Sequence, residues 1–224
     1  MKKLLIITFL MLSAVAFAQE KVSLVTVTGK GTVNVVPDKV LIRARVEHTG
    51  KSASEVKEQN DQKVNQVIKY LKSQEIPSKN IQTEYINLNK DYNYNTKETF
   101  YSANQAISIL LEDIERYETV MSGLLQSGLN RIDGIQFQTS KKEELESEAR
   151  KKAVLDAKEK AQEYAQALNQ EIGKAHMINE MESGNFPPMY RAMEMKSADA
   201  AQEETLAPGE MEITVKVNVS FFLD

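Results

Sequence analysis

The 224-residue chain contains no cysteine and no tryptophan, only two histidines and only five prolines. Without cysteine there can be no disulfide framework, no thiolate metal centre and no thiol for a lipid anchor. His48 and His176 are far apart and neither sits at a metal-ligand spacing, so no histidine-based site is expected. Gly-x-Ser-x-Gly and His-Glu-x-x-His are also missing. These absences point away from an enzyme and away from a bound cofactor. Positive charge is not in excess either: 28 Lys and Arg stand against 32 Asp and Glu. Such a balance excludes a phosphate-binding surface for nucleic acid, which needs clustered cations.

What is present begins with a leader. Met1-Lys2-Lys3 is a short basic head, Leu4 to Val15 is largely apolar, and Ala16-Phe17-Ala18 has the small-x-small form of a signal-peptide cleavage site. The apolar run is short for a membrane span, and Gln19-Glu20-Lys21 turns polar at once. Cleavage after Ala18 is expected, with export to the periplasm and no integral membrane segment in the mature protein. Removing residues 1–18 from 224 leaves 206, and the loss of Lys2 and Lys3 moves the formal charge from −4 to −6. One domain over residues 19–224 is expected, held by an ordinary apolar core.

Near its start the chain reads TGKGTVNVVPDKV, residues 28–40. Two glycines around a lysine resemble a phosphate loop, but such a loop needs a helix directly behind it. Thr32 to Val36 is instead alternating and β-branched. Gly29 and Gly31 are therefore read as a bulge or a close backbone approach within a strand. Pro37-Asp38 reads as a turn and Val40, Ile42, Ala44 and Val46 as a returning strand, so a long N-terminal hairpin is expected.

Further on, Ser52 and Glu55 form a capping-box pattern before a helix with Val56, Val64, Val67, Ile68 and Leu71 on one face, ended by Pro77. Asn60 falls on that face and is read as satisfying backbone groups. Ile81–Leu88 and Phe100–Leu111 are expected to pair as a second hairpin around a polar turn carrying Tyr92 and Tyr94. A helix over 112–127 carries Ile114, Tyr117, Val120, Met121, Leu124 and Leu125, with Asp113 as its cap and Gly128 as its stop. Glu112, Asp113, Glu115 and Glu118 are read as a helix-dipole face, and an acid pair of Glu112 with Asp133 is disfavoured for want of a nucleophile. Ile132, Ile135 and Phe137 mark a short strand. Ser140 and Glu143 suggest a second capping box opening the longest helix, to about Asn169. Leu145, Ala149, Ala153, Ala157, Ala161, Ala165 and Leu168 share one side of it. Glu146–Arg150, Glu148–Lys152 and Asp156–Lys160 are spaced for ion pairs on the others.

Residues 183–209 read as a loop with Pro187-Pro188 inside one domain, and six of nine methionines fall between 177 and 211. Met189, Met193 and Met195 give an alternative reading as soft ligands for Cu(I), set against adaptable packing. Residues 210–223 close the chain as an alternating strand ending in Phe221-Phe222-Leu223. An uncovered apolar edge on the first or last strand points to a homo-oligomer. The expected class is α+β: a mixed, largely antiparallel sheet covered by three helices.

Four stretches together resemble the SIMPL-domain family of bacterial envelope proteins. They are Val27-Thr28-Gly29-Lys30-Gly31 leading to Val36-Pro37-Asp38; Tyr101–Asp113 with Gly128 and Phe137; EARKKAVLDAKEKAQEYAQALN at 148–169; and LAPGEMEITVKVNVSFFL at 206–223. The family's usual Leu-Gly after the long helix is here Leu168-Asn169, and Asn also fits a left-handed cap. The resemblance implies an α+β fold, periplasmic residence, ring-forming oligomers in some relatives and a link to oxidative or envelope stress. It implies no catalytic residues.

Overall fold

A computed structural model describes residues 23–181, 190–191 and 206–224. The signal-peptide reading and Met189, Met193 and Met195 lie outside the described residues. The elements are β1 (Leu24–Val35), β2 (Lys39–Gly50), α1 (Ala53–Ser73), β3 (Ile81–Asn93), β4 (Glu98–Leu111), α2 (Tyr117–Gln126), β5 (Arg131–Gln138), α3 (Lys142–Ala167), β6 (Ile172–Met181), β7 (Tyr190–Arg191) and β8 (Glu210–Leu223). Among the described residues, three helices and two antiparallel sheets make the fold α+β. The described residues divide into two compact units, one of residues 23–32, 148–181 and 214–224, the other of 33–147, 190–191 and 206–213.

In the first unit the sheet order is β1-β8-β6. Across β1 and β8, Thr26 bonds Ser220 at 2.8 Å, Thr28 bonds Asn218 at 2.7 Å and Thr32 bonds Thr214 at 3.2 Å. Each step forward on β1 matches an equal step back on β8, so the register runs unbroken through Gly29-Lys30-Gly31. The bulge reading is therefore wrong, and close approach is the correct alternative. A Cβ on Gly29 would lie 2.0 Å from the Ala153 carbonyl oxygen, and one on Gly31 would lie 1.9 Å from that of Ala149. Neither glycine has a positive φ. Their requirement is space alone. Facing them, Ala149, Ala153, Ala157, Ala161 and Ala165 are all buried on α3, which lets helix and strand backbones meet. Leu168, expected on the same stripe, is exposed because α3 has already ended at Ala167.

The helix also closes the outer edge of β1. Asp156 Oδ2 accepts the Lys30 N–H at 2.7 Å, Lys160 Nζ donates to the Thr28 carbonyl at 3.1 Å, and Lys152 Nζ approaches the Thr32 carbonyl at 3.5 Å. Lys160 also bonds Asp156, and the Lys160 and Lys30 hydrogen bonds hold the Asp156 carboxyl below its ordinary pKa. Of the three expected helix pairs, Glu148–Lys152 and Asp156–Lys160 form, while Arg150 reaches Glu180 on β6 at 2.7 Å and Glu146 pairs with Lys142. Asn169 takes φ 55° and the Gln170 N–H returns to the Ala165 carbonyl, so Asn does serve as the left-handed cap.

In the second unit the sheet order is β3-β4-β2-β5. The expected N-terminal hairpin does not form: β1 pairs with β8, and β2 pairs with β4 and β5. Asp38 explains the difference. Its N–H donates to the Gln138 carbonyl, its carbonyl accepts from Ile114, and its carboxylate accepts the Ser140 N–H at 2.7 Å and the Ser140 hydroxyl. These partners tie the Pro37-Asp38 crossing to the end of β5 and to Ile114, just past the end of β4, instead of folding β2 back on β1. Burial alone would raise the Asp38 pKa, but the two bonds from Ser140, with help from Lys39, bring it below the ordinary value. The same bonds divert Ser140 from capping α3, whose first backbone bond runs from Leu145 to Lys141.

The second hairpin, β3 with β4, forms as expected, with Asn93 Oδ1 accepting from Asn95 and Thr96 at its turn. Val40, Ile42 and Val46 of β2 and Ile107 and Ile109 of β4 build a core with Val67 and Leu71 of α1 and Val120 and Leu124 of α2. Ser52 caps α1, and Gly128 stops α2 at φ 106°. A single 3₁₀ turn, Ile114–Arg116, precedes α2, so the expected helix starts later, and Leu125 is exposed.

Gly29→Ala and Gly31→Ala should each lower stability by about 2–3 kcal/mol, the usual cost of overpacking a tight contact. Urea unfolding measures this. Unchanged midpoints for both would show that β1 and α3 are not in backbone contact.

Candidate functional site

Tested against the structure, the candidate reactive groups are partnered and dispersed. Asp113 caps the 3₁₀ turn by accepting the Glu115 N–H at 3.0 Å, and Glu112 faces Lys79 at 3.8 Å. Asp133 is the β5 residue skipped where the β2–β5 register shifts between Gly134 and Ile132, and Arg45 Nε and Nη2 donate to its two oxygens at 3.1 and 2.9 Å. Glu112 follows the end of β4 while Asp133 lies on β5, the other neighbour of β2, so the two acids share no site. Among the described residues no group of three His, Asp or Glu side chains is placed to hold a metal ion.

Asp133 belongs to a cluster that composition and spacing did not reveal. Arg45 also donates to Glu47 at 3.0 Å, Arg131 bridges Glu47 and Asp133 at 3.2 Å each, and the Arg45 guanidinium lies 5.4 Å from the centre of the Tyr85 ring. Burial would lower the Arg45 pKa, but Asp133 and Glu47 more than reverse this. Two cations and two anions cancel, which suits a fixed brace across β2 and β5. Beside it, the Asn130 carboxamide donates to the Glu47 carbonyl and accepts its N–H, taking the place of a strand residue against β2.

Asn60 is buried and donates to the carbonyls of Val46 at 2.8 Å and Ala103 at 3.2 Å, as its backbone-satisfying reading requires. His48 Nδ1 lies 3.4 Å from the same amide. Burial, and then the charge of Lys63, lowers the His48 pKa below 6.5. His176, on β6, packs edge-on against Phe222 at 5.0 Å. Tyr92 and Tyr94 stack edge-to-face at 5.1 Å on the β3–β4 arm, and Tyr94 is almost fully exposed. The two histidines belong to different units with different partners.

Two surfaces of the first unit remain. One is β6, a strand that sequence reasoning missed, which ends the sheet and exposes Met177, Ile178 and Met181. The other is a cleft of about 510 Å³ where α3 turns into β6, lined by Gln162, Ala165, Gln166, Asn169, Gln170, Glu171 and Ile172. Its signal was present in the sequence: four carboxamides in nine residues, after a helix otherwise dressed in charge pairs.

Because the folded state disfavours the His48 cation, stability should fall as pH drops below about 6.5 towards the lowered folded pKa, and this contribution should level off below that. His48→Gln should flatten that segment of the stability profile measured by thermal unfolding. An identical slope in the variant would remove His48 as its cause.

Comparison with known proteins adds the lineage. The sequence is 26% identical over 204 residues to "Uncharacterized protein YggE" of Escherichia coli K12, covering 89% of this chain and 83% of that protein. It is 27% identical over 222 residues to the "26 kDa periplasmic immunogenic protein" of Brucella melitensis, covering 92% and 89%. Among the described residues no helix is long and apolar enough to cross a membrane. Residues 25–221 match SIMPL, described as a protein of unknown function (DUF541), and the chain belongs to that family.

Proposed function

We propose that this protein is an exported, non-enzymatic component of the cell envelope, working as an oligomeric scaffold or binding protein connected with envelope or oxidative stress. The observation that carries this reading is the inequality of the two edges in the β1-β8-β6 sheet. The β1 edge is closed by Asp156, Lys160 and Lys152. The β6 edge carries Met177, Ile178 and Met181 at 53%, 56% and 43% exposure. An exposed, apolar edge strand is a template for pairing with another chain. A second copy offers the same strand, so antiparallel β6-to-β6 pairing would give an isologous dimer with a continuous sheet. The periplasmic address draws on the leader-like N-terminus and on the name of the Brucella relative. The connection with stress draws on the family likeness. The non-catalytic reading draws on the partnered state of Glu112, Asp113 and Asp133.

The alternative, copper handling through Met189, Met193 and Met195, concerns residues outside the described set. The described Met177 and Met181 are four strand positions apart, about 13 Å, which is too far for one ion to bridge. Anaerobic titration with Cu(I) decides it: submicromolar binding lost on triple alanine substitution of Met189, Met193 and Met195 would favour copper over the scaffold.

Light scattering of the mature protein at micromolar concentration should show an oligomer. Ile178→Lys, which places a charge on the open edge, should shift it to smaller species without lowering the unfolding temperature of the monomer. A monomeric wild-type protein would overturn the scaffold reading. An assembly unaffected by Ile178→Lys would move the interface away from β6.

A further inference from the structure

The cleft at the end of α3 has an unusual lining. Upstream, the exposed faces of α3 are laced with ion pairs: Lys142–Glu146, Glu148–Lys152 and Asp156–Lys160. From Gln162 onward the facing positions are carboxamides. Gln162, Ala165, Gln166 and Asn169 recur at the three- and four-residue spacing that puts them on one side of a helix, and Gln170 continues the wall. Ala165 is fully buried and forms the floor, with Ile172 beside it. Glu171 is the one charged side chain in the lining. Among the described residues, none of these four carboxamides has a side-chain hydrogen bond within the protein, although Lys160, Arg150 and Lys152 on the same helix all do.

Each carboxamide offers two N–H donors and an acceptor oxygen, so four of them together match a ligand whose groups both donate and accept. Hydroxyl and acetamido groups have this property. The cleft volume of about 510 Å³ lies within the range of small-ligand sites, about 300–1,000 Å³. Its electrostatics select further. The carboxyl end of a helix carries partial negative charge, and Glu171 adds a full one, so an anionic ligand is repelled while hydroxyl donors are favoured. The small apolar floor of Ala165 and Ile172 suits the C–H face of a sugar ring. We propose that this cleft is a binding site for a neutral saccharide, held by Gln162, Gln166, Asn169 and Gln170 with Glu171 accepting from a hydroxyl. The cleft meets β6 only at its first residue, Ile172, away from the Met177, Ile178 and Met181 stretch of the proposed assembly edge, and its occupancy does not depend on the oligomer forming.

The test is an NMR titration of the full mature chain with two neutral disaccharides, N,N′-diacetylchitobiose and cellobiose. Amide shifts confined to residues 162–172 are expected with at least one of them, including the side-chain NH₂ signals of the four carboxamides. Gln162→Ala/Gln166→Ala/Gln170→Ala should weaken binding at least tenfold. Asn169 is left intact because its left-handed backbone is part of the helix cap. Gln166→Glu, which preserves size and adds charge, should weaken binding as well, and it serves as the readout if the triple variant unfolds. Absence of shifts with both sugars at millimolar concentration would overturn the proposal. So would a stronger response at these residues to an anionic disaccharide, to a short peptide or to calcium. Saccharide binding that persists in a monomeric Ile178→Lys protein would leave this site standing whatever becomes of the scaffold.

Discussion

Contact between two backbones organises the first unit. At Gly29 and Gly31 the strand has no side chains, and at Ala149, Ala153 and Ala157 the helix has almost none, so β1 and α3 approach until a single added carbon would sit within 2.0 Å of a carbonyl oxygen. At that separation dispersion contacts are dense and leave no rotamer freedom to be lost, because neither Gly nor Ala has any. The close approach also brings Asp156, Lys152 and Lys160 within reach of the outermost backbone groups of β1. A helix one side-chain layer further out could not close that edge. The packing choice and the edge protection are thus one arrangement.

The second unit solves its hydrogen-bond accounting differently. Its strand ends and crossings are finished by short polar side chains acting as backbone substitutes. Asp38 gathers Gln138, Ile114 and Ser140; Asn130 lies along β2 at Glu47; Asn60 bonds the carbonyls of Val46 and Ala103. Buried backbone groups left without partners cost free energy comparable to a lost hydrogen bond, so each of these residues contributes by preventing a loss.

Much of this was legible in the sequence where the cause is local. The Ser52 cap, the apolar face of α1, the β3–β4 hairpin, the Gly128 stop and the alanine stripe all follow from spacing within a few residues. What failed was set at long range. Pro37-Asp38 correctly signals a break, but the partner of β1 is β8, about 190 residues away, as in the Thr28–Asn218 bond. Ser140 looks like a cap until Asp38, 102 positions earlier, claims its hydroxyl. Strand β6 escaped notice because register shifts interrupt its pairing near Ala175 and nearly all of its side chains are exposed, so no alternation marks it. The amide cleft was visible as composition, but only the turn from α3 into β6 makes it a concavity.

The β3–β4 ribbon extends past the end of its neighbour. Strand β2 stops at Gly50, opposite Tyr101, so the stretch from Asp91 through the turn to Phe100 is a ribbon two strands wide. A lone two-stranded ribbon is marginal in water, whereas the part backed by β2 and α1 shares the full cooperativity of the core. Amide exchange should therefore proceed in two regimes, rapid and tip-inward for the overhang and slow for Ile107 and Ile109. The overhang, with Tyr92 and Tyr94 upon it, is a limb that can unzip and re-form while the body of the sheet stays shut.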